Sequence, residues 1–338
     1  MISRRILFGA QQSATLSYRI PALWVLPDGT RFAFCESREG AGGDWDPMYL
    51  QMRRQRPGAD WEAPVTLAQN DRGPAHNPGP FDVDGQLHLL YGMDYARFYH
   101  IHSRDGGDSF SQPEDITYVF EAFREKGVDW HCIAVGPGGI CRLDGGRIVV
   151  PVWLGGLVDP GKHSPAQVAT IYSDDGGATW QPGDVIDFFE YGPSEAQVAP
   201  IPGGAIISLR NADRRRRRGF AYSADGAHWD VPSLADDVVE INCQGSLLRV
   251  GDELIISGPE PILPSPAAVH PGRERLVMRK SLDFGRHWSE GTVLEPGAAG
   301  YSALALTPDG ELLCLYETWE DMRRMRQVLL TLRPEDVK

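Results

Sequence analysis

Short runs of apolar and aromatic residues alternate with turn sequences along most of the chain. Residues 22–26 (ALWVL) precede the turn sequence PDGT, and residues 87–91, 148–151 and 312–316 each follow a turn that contains glycine. Apolar runs of this length between Gly, Pro and Asp clusters are typical of β-hairpins. Residues 115–129 differ, because they have helical character within a long connecting loop. The pattern predicts an all-β chain of many short strands.

Four copies of one phrase, close to S-x-D-x-G-x-x-[WF], recur along the chain. They are SRDGGDSF at 103–110, SDDGGATW at 173–180, SADGAHW at 223–229 and SLDFGRHW at 281–288. In such a phrase Ser and Asp hydrogen-bond the backbone of a turn, Gly adopts a positive φ, and the aromatic residue packs between neighbouring units. This is the Asp-box repeat, and we expect a degenerate fifth copy at residues 54–61.

The spacing of these repeats predicts the fold. Their serines lie 70, 50 and 58 residues apart, which is too far for a solenoid and suits four-stranded propeller blades. The 338 residues divide into six units of about 56 residues each. We therefore predict one domain over residues 1–338, a six-bladed β-propeller. Because Asp boxes occur in propellers of several functions, the fold alone does not define an activity.

Charge and composition exclude several classes of partner. The net charge is −13 and the main basic run is Arg214 to Arg218, which we interpret as a solvated loop rather than a docking patch, so nucleic acid is not expected to bind. No stretch reaches the ~18 apolar residues of a membrane span. The N-terminal residues lack a signal-peptide hydrophobic region, which favours a cytoplasmic protein unless a leader was removed. The five cysteines form no C-x-x-C pair, which favours buried free thiols over disulfides or zinc.

The N-terminal segment carries a family resemblance. YRIPAL at 18–23 followed by AFCESR at 33–38 resembles the opening of the exo-α-sialidases (neuraminidases), especially the animal-type enzymes and related bacterial ones. Further matching phrases are HNPGP at 76–80, WHCIAVGPG at 130–138, VVP at 149–151, CQGS at 243–246 and LYE at 315–317. The resemblance implies hydrolysis of terminal sialic acids from a sialylated glycan or sialoside, without a metal or cofactor.

Three arginines are candidates for binding the substrate carboxylate. A sialoside has a carboxylate on its anomeric carbon, and the planar fork of a guanidinium matches a carboxylate better than an ammonium does. The resemblance implies that Arg19, Arg210 and Arg273 form this triad. Arg210 lies in SLRNADR, where the family often has L-N-x-R, so Arg214 is kept as the alternative.

A tyrosine is the candidate nucleophile. A carboxylate would be repelled by the carboxylate on the anomeric carbon, whereas a neutral tyrosine is not, provided that a base takes its proton. Sialidases are the glycosidases that use tyrosine. GYSAL at 300–304 resembles the family's nucleophile phrase and assigns Tyr301, while Glu195 matches the glutamate that activates it. Two positions depart from the family pattern, since Ala303 replaces an Asp and Pro200 replaces a second Glu.

The resemblance also supplies an acid/base and four supporting residues. Asp44 lies in a Gly-rich loop nine residues before Arg53, which is the family spacing for the catalytic Asp, and Asp46 is the competing choice. To protonate the leaving oxygen, this Asp must be neutral near the working pH. The expected supporting and substrate-pocket residues are Arg38, Glu317, Asp129 and Gln244.

Three alternatives to a sialidase remain open. The first is a hydrolase of a related 2-keto sugar acid, Kdn or Kdo, with the same mechanism. The second is a trans-sialidase, which transfers the sugar to an acceptor. The third is a non-catalytic propeller that binds glycans. An enzyme is favoured, because the chain has Asp44, Glu195 and Tyr301 together. A lectin would need the arginines but neither the acid nor the nucleophile.

Overall fold

Six antiparallel sheets form a closed ring in the computed structural model of the chain. The structure describes residues 2–11, 13, 15–39, 43–70, 72–156, 163, 165–212, 216–260, 272–320 and 324–338. Each sheet is one blade, and strands are numbered in chain order. The prediction of an all-β, six-bladed propeller is confirmed.

Each blade is described by its strands from the axis outwards. Blade 1 contains β2 (Ser17–Val25), β3 (Arg31–Arg38), β4 (Met48–Gln55) and β5 (Val65–Asn70). Blade 2 contains β6 (Ala75–Val83), β7 (Gln86–Met93), β8 (Arg97–Ser103) and β9 (Glu114–Asp115). Blade 3 contains β10 (Cys132–Val135) and the short β11 (Cys141–Arg142), then β12 (Ile148–Gly155), β13 (Ala166–Ser173) and β14 (Gln181–Val185).

The second half of the ring repeats this arrangement. Blade 4 contains β15 (Ala196–Ile201), β16 (Gly204–Leu209), β17 (Arg217–Ser223) and β18 (Ser233–Val239). Blade 5 contains β19 (Ser246–Val250), β20 (Glu253–Pro259), β21 (Glu274–Ser281) and β22 (Thr292–Ala298). Blade 6 contains β23 (Ser302–Leu306), β24 (Leu312–Thr318), β25 (Arg326–Leu332) and, as its outer strand, β1 (Ser3–Phe8). The two ends of the chain therefore close the ring by pairing in one sheet.

The Asp boxes occupy equivalent places in four blades. Each connects the third strand of a blade to its fourth, in blades 2 to 5. In the first box, the Ser103 hydroxyl donates to Asp105 (2.8 Å) and accepts from the Gly107 N–H (2.7 Å), while Asp105 accepts from the Ser109 N–H (2.9 Å). Gly107 has a φ of 86°, as the turn requires. The degenerate copy at residues 54–61 lies at the same connection of blade 1 and buries Trp61.

One α-helix and two 3₁₀ turns accompany the strands in the described part of the chain. Helix α1 (Tyr118–Glu125) lies in the long loop between blades 2 and 3, where the sequence predicts helical character. It buries Val119, Phe120 and Phe123, whose spacing places them on one face. The 3₁₀ turns are Phe189–Tyr191 and Pro334–Asp336. No helix among the described residues is long and apolar enough to cross a membrane.

The topology brings the ends of the inner strands together at one rim. Successive first strands contact each other around the axis. Because the first two strands of every blade are antiparallel, the first strand begins at the same rim where the second strand ends. The Asp boxes follow the ends of the third strands and therefore lie at the opposite rim.

All five cysteines are buried and free, as predicted.

Candidate active site

A cavity of about 400 Å³ opens at the rim where the first strands begin. It receives side chains from blades 1 to 6, and hence from segments far apart in sequence. Seven candidate residues from the sequence line it, namely Arg19, Arg38, Asp44, Glu195, Arg210, Arg273 and Tyr301. Glu317 lies directly beneath, with its carboxylate bonded to the backbone at Ile20 and Tyr301.

Tyr301 lies at the centre of the cavity floor and is only 6% exposed. Its hydroxyl donates to Oε2 of Glu195 at 2.9 Å and accepts from Nη1 of Arg210 at 2.6 Å. Glu195 also pairs with Arg210. Glu195 and Arg210 face one another across blade 4, because the Arg210 N–H donates to the Glu195 carbonyl (3.0 Å) just beyond the paired ends of β15 and β16. A phenol, a base and a cation are thus in mutual contact.

Three guanidinium groups surround the Tyr301 ring and form the arginine cluster, Arg19, Arg210 and Arg273. Their central carbons lie 5.4, 5.7 and 5.5 Å from the ring centroid, respectively. Asn242 joins two of them, since its side-chain oxygen accepts from Nε of Arg210 (2.9 Å) and its carbonyl accepts from Nη2 of Arg273 (3.1 Å). Such a concentration of cations around one concave surface attracts an anionic group.

Burial raises the pKa of Tyr301 above its ordinary value. The charge of Glu195 acts in the same direction, while the positive charges of Arg210, Arg273 and Arg19 oppose the shift. The tyrosine is therefore a neutral phenol at physiological pH. It can act as a nucleophile only as its proton moves to a base, and Glu195 is the carboxylate that already accepts its hydrogen bond.

Glu317, at the end of β24, fixes the position of Arg19 and of Tyr301. Its fully buried carboxylate accepts from the Ile20 N–H (2.8 Å) and the Tyr301 N–H (3.1 Å), and lies 3.3 Å from Nε of Arg19. Burial opposes the charge on Glu317, but Arg19 and these N–H donors outweigh it and lower the pKa. Ile20 has a φ of 55° within the bulge of β2, a strained conformation for a β-branched residue. This backbone conformation directs the Ile20 N–H toward the carboxylate of Glu317.

A second bulge residue with a positive φ donates its N–H to a buried glutamate between blades 1 and 2. Asn77 has a φ of 52° in the bulge of β6, and its N–H donates to the buried Glu36 at 2.8 Å. Glu36 in turn accepts from Nε and Nη2 of Arg38 at 2.9 and 2.6 Å. Glu36 thus fixes the guanidinium of Arg38, whose Nη1 reaches Asp44 in the cavity.

Asp44 occupies the edge of the cavity in the loop before β4. Its Oδ1 accepts from Nη1 of Arg38 at 2.6 Å and lies 3.7 Å from Nη1 of Arg19, while its Oδ2 lies 3.6 Å from Nε2 of His163. Burial raises the pKa of this carboxyl, but His163, Arg38 and Arg19 together outweigh burial and lower it. The competing candidate, Asp46, instead accepts from the Gly43 N–H (2.8 Å) and does not line the cavity.

Two predicted pocket residues lie away from the cavity. Asp129 has an 84% exposed side chain and lies near Arg124 and His131. Gln244 is fully buried, and its amide exchanges two hydrogen bonds of 3.0 Å with the backbone of Ser302, so it braces the strand that follows Tyr301. Arg214, the alternative to Arg210, lies outside the described residues.

The two departures from the family pattern also lie away from the Tyr301 hydroxyl. Ala303 packs in an apolar cluster with Leu23, Leu315 and Leu329 between blades 6 and 1. Pro200 lies near the hairpin end of β15, where it lines a separate cavity of about 210 Å³ on the axis. Neither residue lines the cavity that contains Tyr301.

Asn242 and an aromatic wall beside Asp44 were not predicted from the sequence. The wall is formed by His163, Tyr95, Trp153 and Trp45; His163 stacks on Trp45 with ring centroids 5.3 Å apart and meets Trp153 edge-on at 5.3 Å. These residues come from blades 1, 2 and 3, and no local pattern links them. One feature of the sequence could have pointed to Asn242, because it directly precedes the CQGS phrase and asparagine tolerates a positive φ, which is 60° here.

Within the described ranges, no group of three or more His, Cys, Asp or Glu side chains is arranged to hold a metal ion.

Known proteins share both the sequence pattern and the fold. A family model described as a BNR repeat-like domain matches residues 30–314. Sialidase-3 of Mus musculus is 27% identical over 93% of this chain and 90% of its own length. The sialidase of Micromonospora viridifaciens is 26% identical over 91% of this chain and 50% of its own length.

Solved structures give the same architecture. The Hadza microbial sialidase Hz136 has a TM-score of 0.80 at 20% identity, over 99% of this chain and 69% of that one. The sialidase of Trypanosoma rangeli, solved in complex with 2,3-difluorosialic acid as a covalent intermediate, has a TM-score of 0.77 at 17% identity, over 98% of this chain and 59% of that one. At these identities the likeness shows a shared fold.

Proposed function

The chain belongs to the BNR repeat-like domain family, and from that premise we propose that it is an exo-α-sialidase, a glycoside hydrolase that removes terminal sialic acids from glycoconjugates with retention of configuration. The observation that carries this proposal is the contact of the Tyr301 hydroxyl with Glu195 inside the arginine cluster. The sialidases among the relatives support it.

The arginine cluster binds the carboxylate of the sugar. Each guanidinium offers parallel N–H donors that match a carboxylate, and the three converge around Tyr301 from blades 1, 4 and 5. Asn242 and Glu317 pre-orient these groups, so little ordering is needed when the substrate binds. The same cations stabilise the oxocarbenium-like transition state by keeping the neighbouring carboxylate in place.

Tyr301 attacks the anomeric carbon in the first step. Its oxygen forms a bond to that carbon, its proton passes to Glu195, and the glycosidic C–O bond breaks with its electron pair going to the leaving oxygen. Arg210 already donates to the tyrosine oxygen and stabilises the negative charge that develops there. In the second step a water molecule attacks the same carbon, the bond to Tyr301 breaks, and Glu195 returns the proton.

Asp44 is the acid in the first step and the base in the second. It gives a proton to the leaving oxygen and later takes one from the attacking water. In the unliganded site Arg38, Arg19 and His163 favour its ionised form. A bound substrate carboxylate neutralises part of the charge of Arg19, which lies 3.7 Å from Asp44. The pKa of Asp44 therefore rises toward the acid form when substrate is in place.

The test is hydrolysis of 4-methylumbelliferyl α-Neu5Ac by the purified protein and by Tyr301→Phe, with Tyr222→Phe as control. Tyr222 is a half-buried tyrosine outside the cavity, whose hydroxyl donates to the Phe284 carbonyl. We expect hydrolysis by the wild type and by Tyr222→Phe, and a loss of at least about 10³-fold for Tyr301→Phe. Equal rates for Tyr301→Phe and wild type would refute the nucleophile.

Parallel assays with the Kdn and Kdo glycosides decide the sugar. Hydrolysis of only these glycosides would keep the mechanism and change the substrate to a related 2-keto sugar acid. Binding of sialosides without any hydrolysis would favour a glycan-binding propeller. Transfer to an added lactose acceptor in place of hydrolysis would identify a trans-sialidase.

A further inference from the structure

His163 is the described side chain that faces the free oxygen of Asp44. The two oxygens of Asp44 have different surroundings, because Oδ1 accepts from Arg38 (2.6 Å) and lies near Arg19 (3.7 Å), whereas Oδ2 lies 3.6 Å from Nε2 of His163. Since cations surround Oδ1, the oxygen that can carry the acid proton is Oδ2. His163 therefore stands beside the oxygen that takes part in proton transfer.

The imidazole is held in this orientation on several sides. It stacks nearly parallel on Trp45, with an interplanar angle of 15°, and meets the ring of Trp153 at 75°. Its backbone packs on β12 at Gly155, where a Cβ would lie 2.6 Å from the His163 carbonyl oxygen. A side chain at position 155 would push the residue away. The sequence at β12 thus leaves room for His163 beside the cavity.

The two ring nitrogens are not equivalent. Nδ1 is buried and has no hydrogen-bond partner among the residues that the structure describes, while Nε2 faces Asp44. An unpaired buried N–H costs more than an unpaired lone pair, so the neutral ring carries its hydrogen on Nε2. A hydrogen on Nε2 favours the ionised carboxylate of Asp44, and a charged imidazolium favours it further.

We propose that His163 is a positioning residue that holds Oδ2 of Asp44 and determines the pH range in which Asp44 acts as the acid. In the described part of the chain, the other charged groups facing Asp44 are Arg38 and Arg19. The imidazole itself is faced by Asp44 and by Tyr95 from the turn between β7 and β8, whose ring stacks on His76 behind it. None of these groups is removed when His163 is replaced, so a change in pH dependence reports on His163 alone.

The test compares His163→Phe, which keeps an aromatic ring between Trp45 and Trp153, with His163→Gln, which restores an N–H donor. The readout is the pH profile of kcat/KM for 3′-sialyllactose. Its poor leaving group needs the acid, whereas 4-methylumbelliferone needs it far less. His131→Phe is the matched control, because His131 is an exposed histidine outside the cavity.

Removal of the imidazole should raise the pKa of Asp44 and keep its acid form to higher pH. We expect the basic limb of the His163→Phe profile to move up by about one pH unit, with a smaller shift for the 4-methylumbelliferyl substrate. His163→Gln should return the limb toward that of the wild type, and His131→Phe should not move it. If kcat/KM of His163→Phe were lower at every pH while the basic limb stayed at the wild-type pH, His163 would serve only in packing, and the proposal would be overturned.

Because this role rests on the proposed sialidase function, a second readout is independent of activity. If the wild type hydrolysed no sialoside, the proposed function would fail. A ¹³C NMR titration of the carboxyl carbons, with Asp44→Asn to assign the signal, would then still test the pair. We expect the Asp44 midpoint to rise in His163→Phe, and an unchanged midpoint would overturn the inference.

Discussion

Asn242 offers a sharp test of how the arginine cluster is organised. Its side-chain oxygen accepts from Nε of Arg210 at 2.9 Å, and its carbonyl accepts from Nη2 of Arg273 at 3.1 Å. Its φ of 60° lies in the left-handed region, which glycine adopts without strain. Asn242→Gly therefore keeps the backbone and the bond to Arg273, and removes only the bond to Arg210.

The size of the effect follows from that one bond. A hydrogen bond to a charged group contributes about 1.5–3 kcal/mol. Arg210 keeps its contacts with Glu195 and Tyr301, so we expect the lower end of that range, which corresponds to about a tenfold loss in kcat/KM. In the proposed mechanism Arg210 binds the carboxylate in both ground and transition states, so the loss should appear mainly as a higher KM.

Asn242→Ala separates the catalytic effect from the structural one. Alanine also lacks the amide but is strained at a positive φ, by about 1 kcal/mol. We expect both variants to lose activity equally in a 4-methylumbelliferyl sialoside assay, and only the alanine variant to melt at a lower temperature. An Asn242→Gly enzyme with the wild-type kcat/KM would refute the reasoning, since Arg210 would then need no support from Asn242.

Two further predictions concern stability. Glu317→Gln should lower the melting temperature measured by scanning fluorimetry, because breaking a buried ion pair costs about 3–5 kcal/mol. A neutral amide cannot compensate the charge of Arg19, and its NH₂ group cannot accept a hydrogen bond, so one of the two backbone N–H donors would lose its acceptor. A melting temperature equal to that of the wild type would contradict this role. His88 and His100 share a 2.9 Å hydrogen bond, and burial lowers their pKa values to about 4 and about 3. Protonation is thus easier in the unfolded chain, where histidine titrates near pH 6.5, so stability should fall as the pH drops from about 6.5 toward 4. Replacing both with Phe should flatten this loss relative to wild type in melts between pH 7 and 4.5, and an unchanged pH dependence would contradict it.

The fold could be predicted from local patterns because each Asp box is a self-contained turn. The Ser, Asp and Gly of each box bond to one another within five residues, so the phrase carries its own structure. The degenerate copy near Trp61 kept only its aromatic residue and still marked the right connection. The outer strand of blade 6 could not be predicted in this way. β1 pairs with β25 at the other end of the chain, and that pairing depends on ring closure.

The residues of the candidate site could likewise be predicted from the sequence only where they stand in a recognisable motif. Arg19, Tyr301 and Glu317 stand in recognisable phrases, and the ring brings them together. Asn242 and His163 act through their placement, one by a left-handed backbone and the other by stacking between blades 1 and 3. Neither property is visible in a short motif. Asp129 illustrates the converse, since it matches by position in the sequence yet points to solvent.

The most direct test of the central claim is to trap the covalent intermediate. The protein would be incubated with a 2,3-difluorosialic acid, whose fluorine at C3 slows release of the sugar from the enzyme, and then analysed by intact mass and peptide mapping. We predict one sialyl adduct on Tyr301 in the wild type, and none on the Tyr301→Phe variant. An adduct on Glu195 or on any other residue, or turnover of sialosides with no adduct at all, would contradict Tyr301 as the nucleophile.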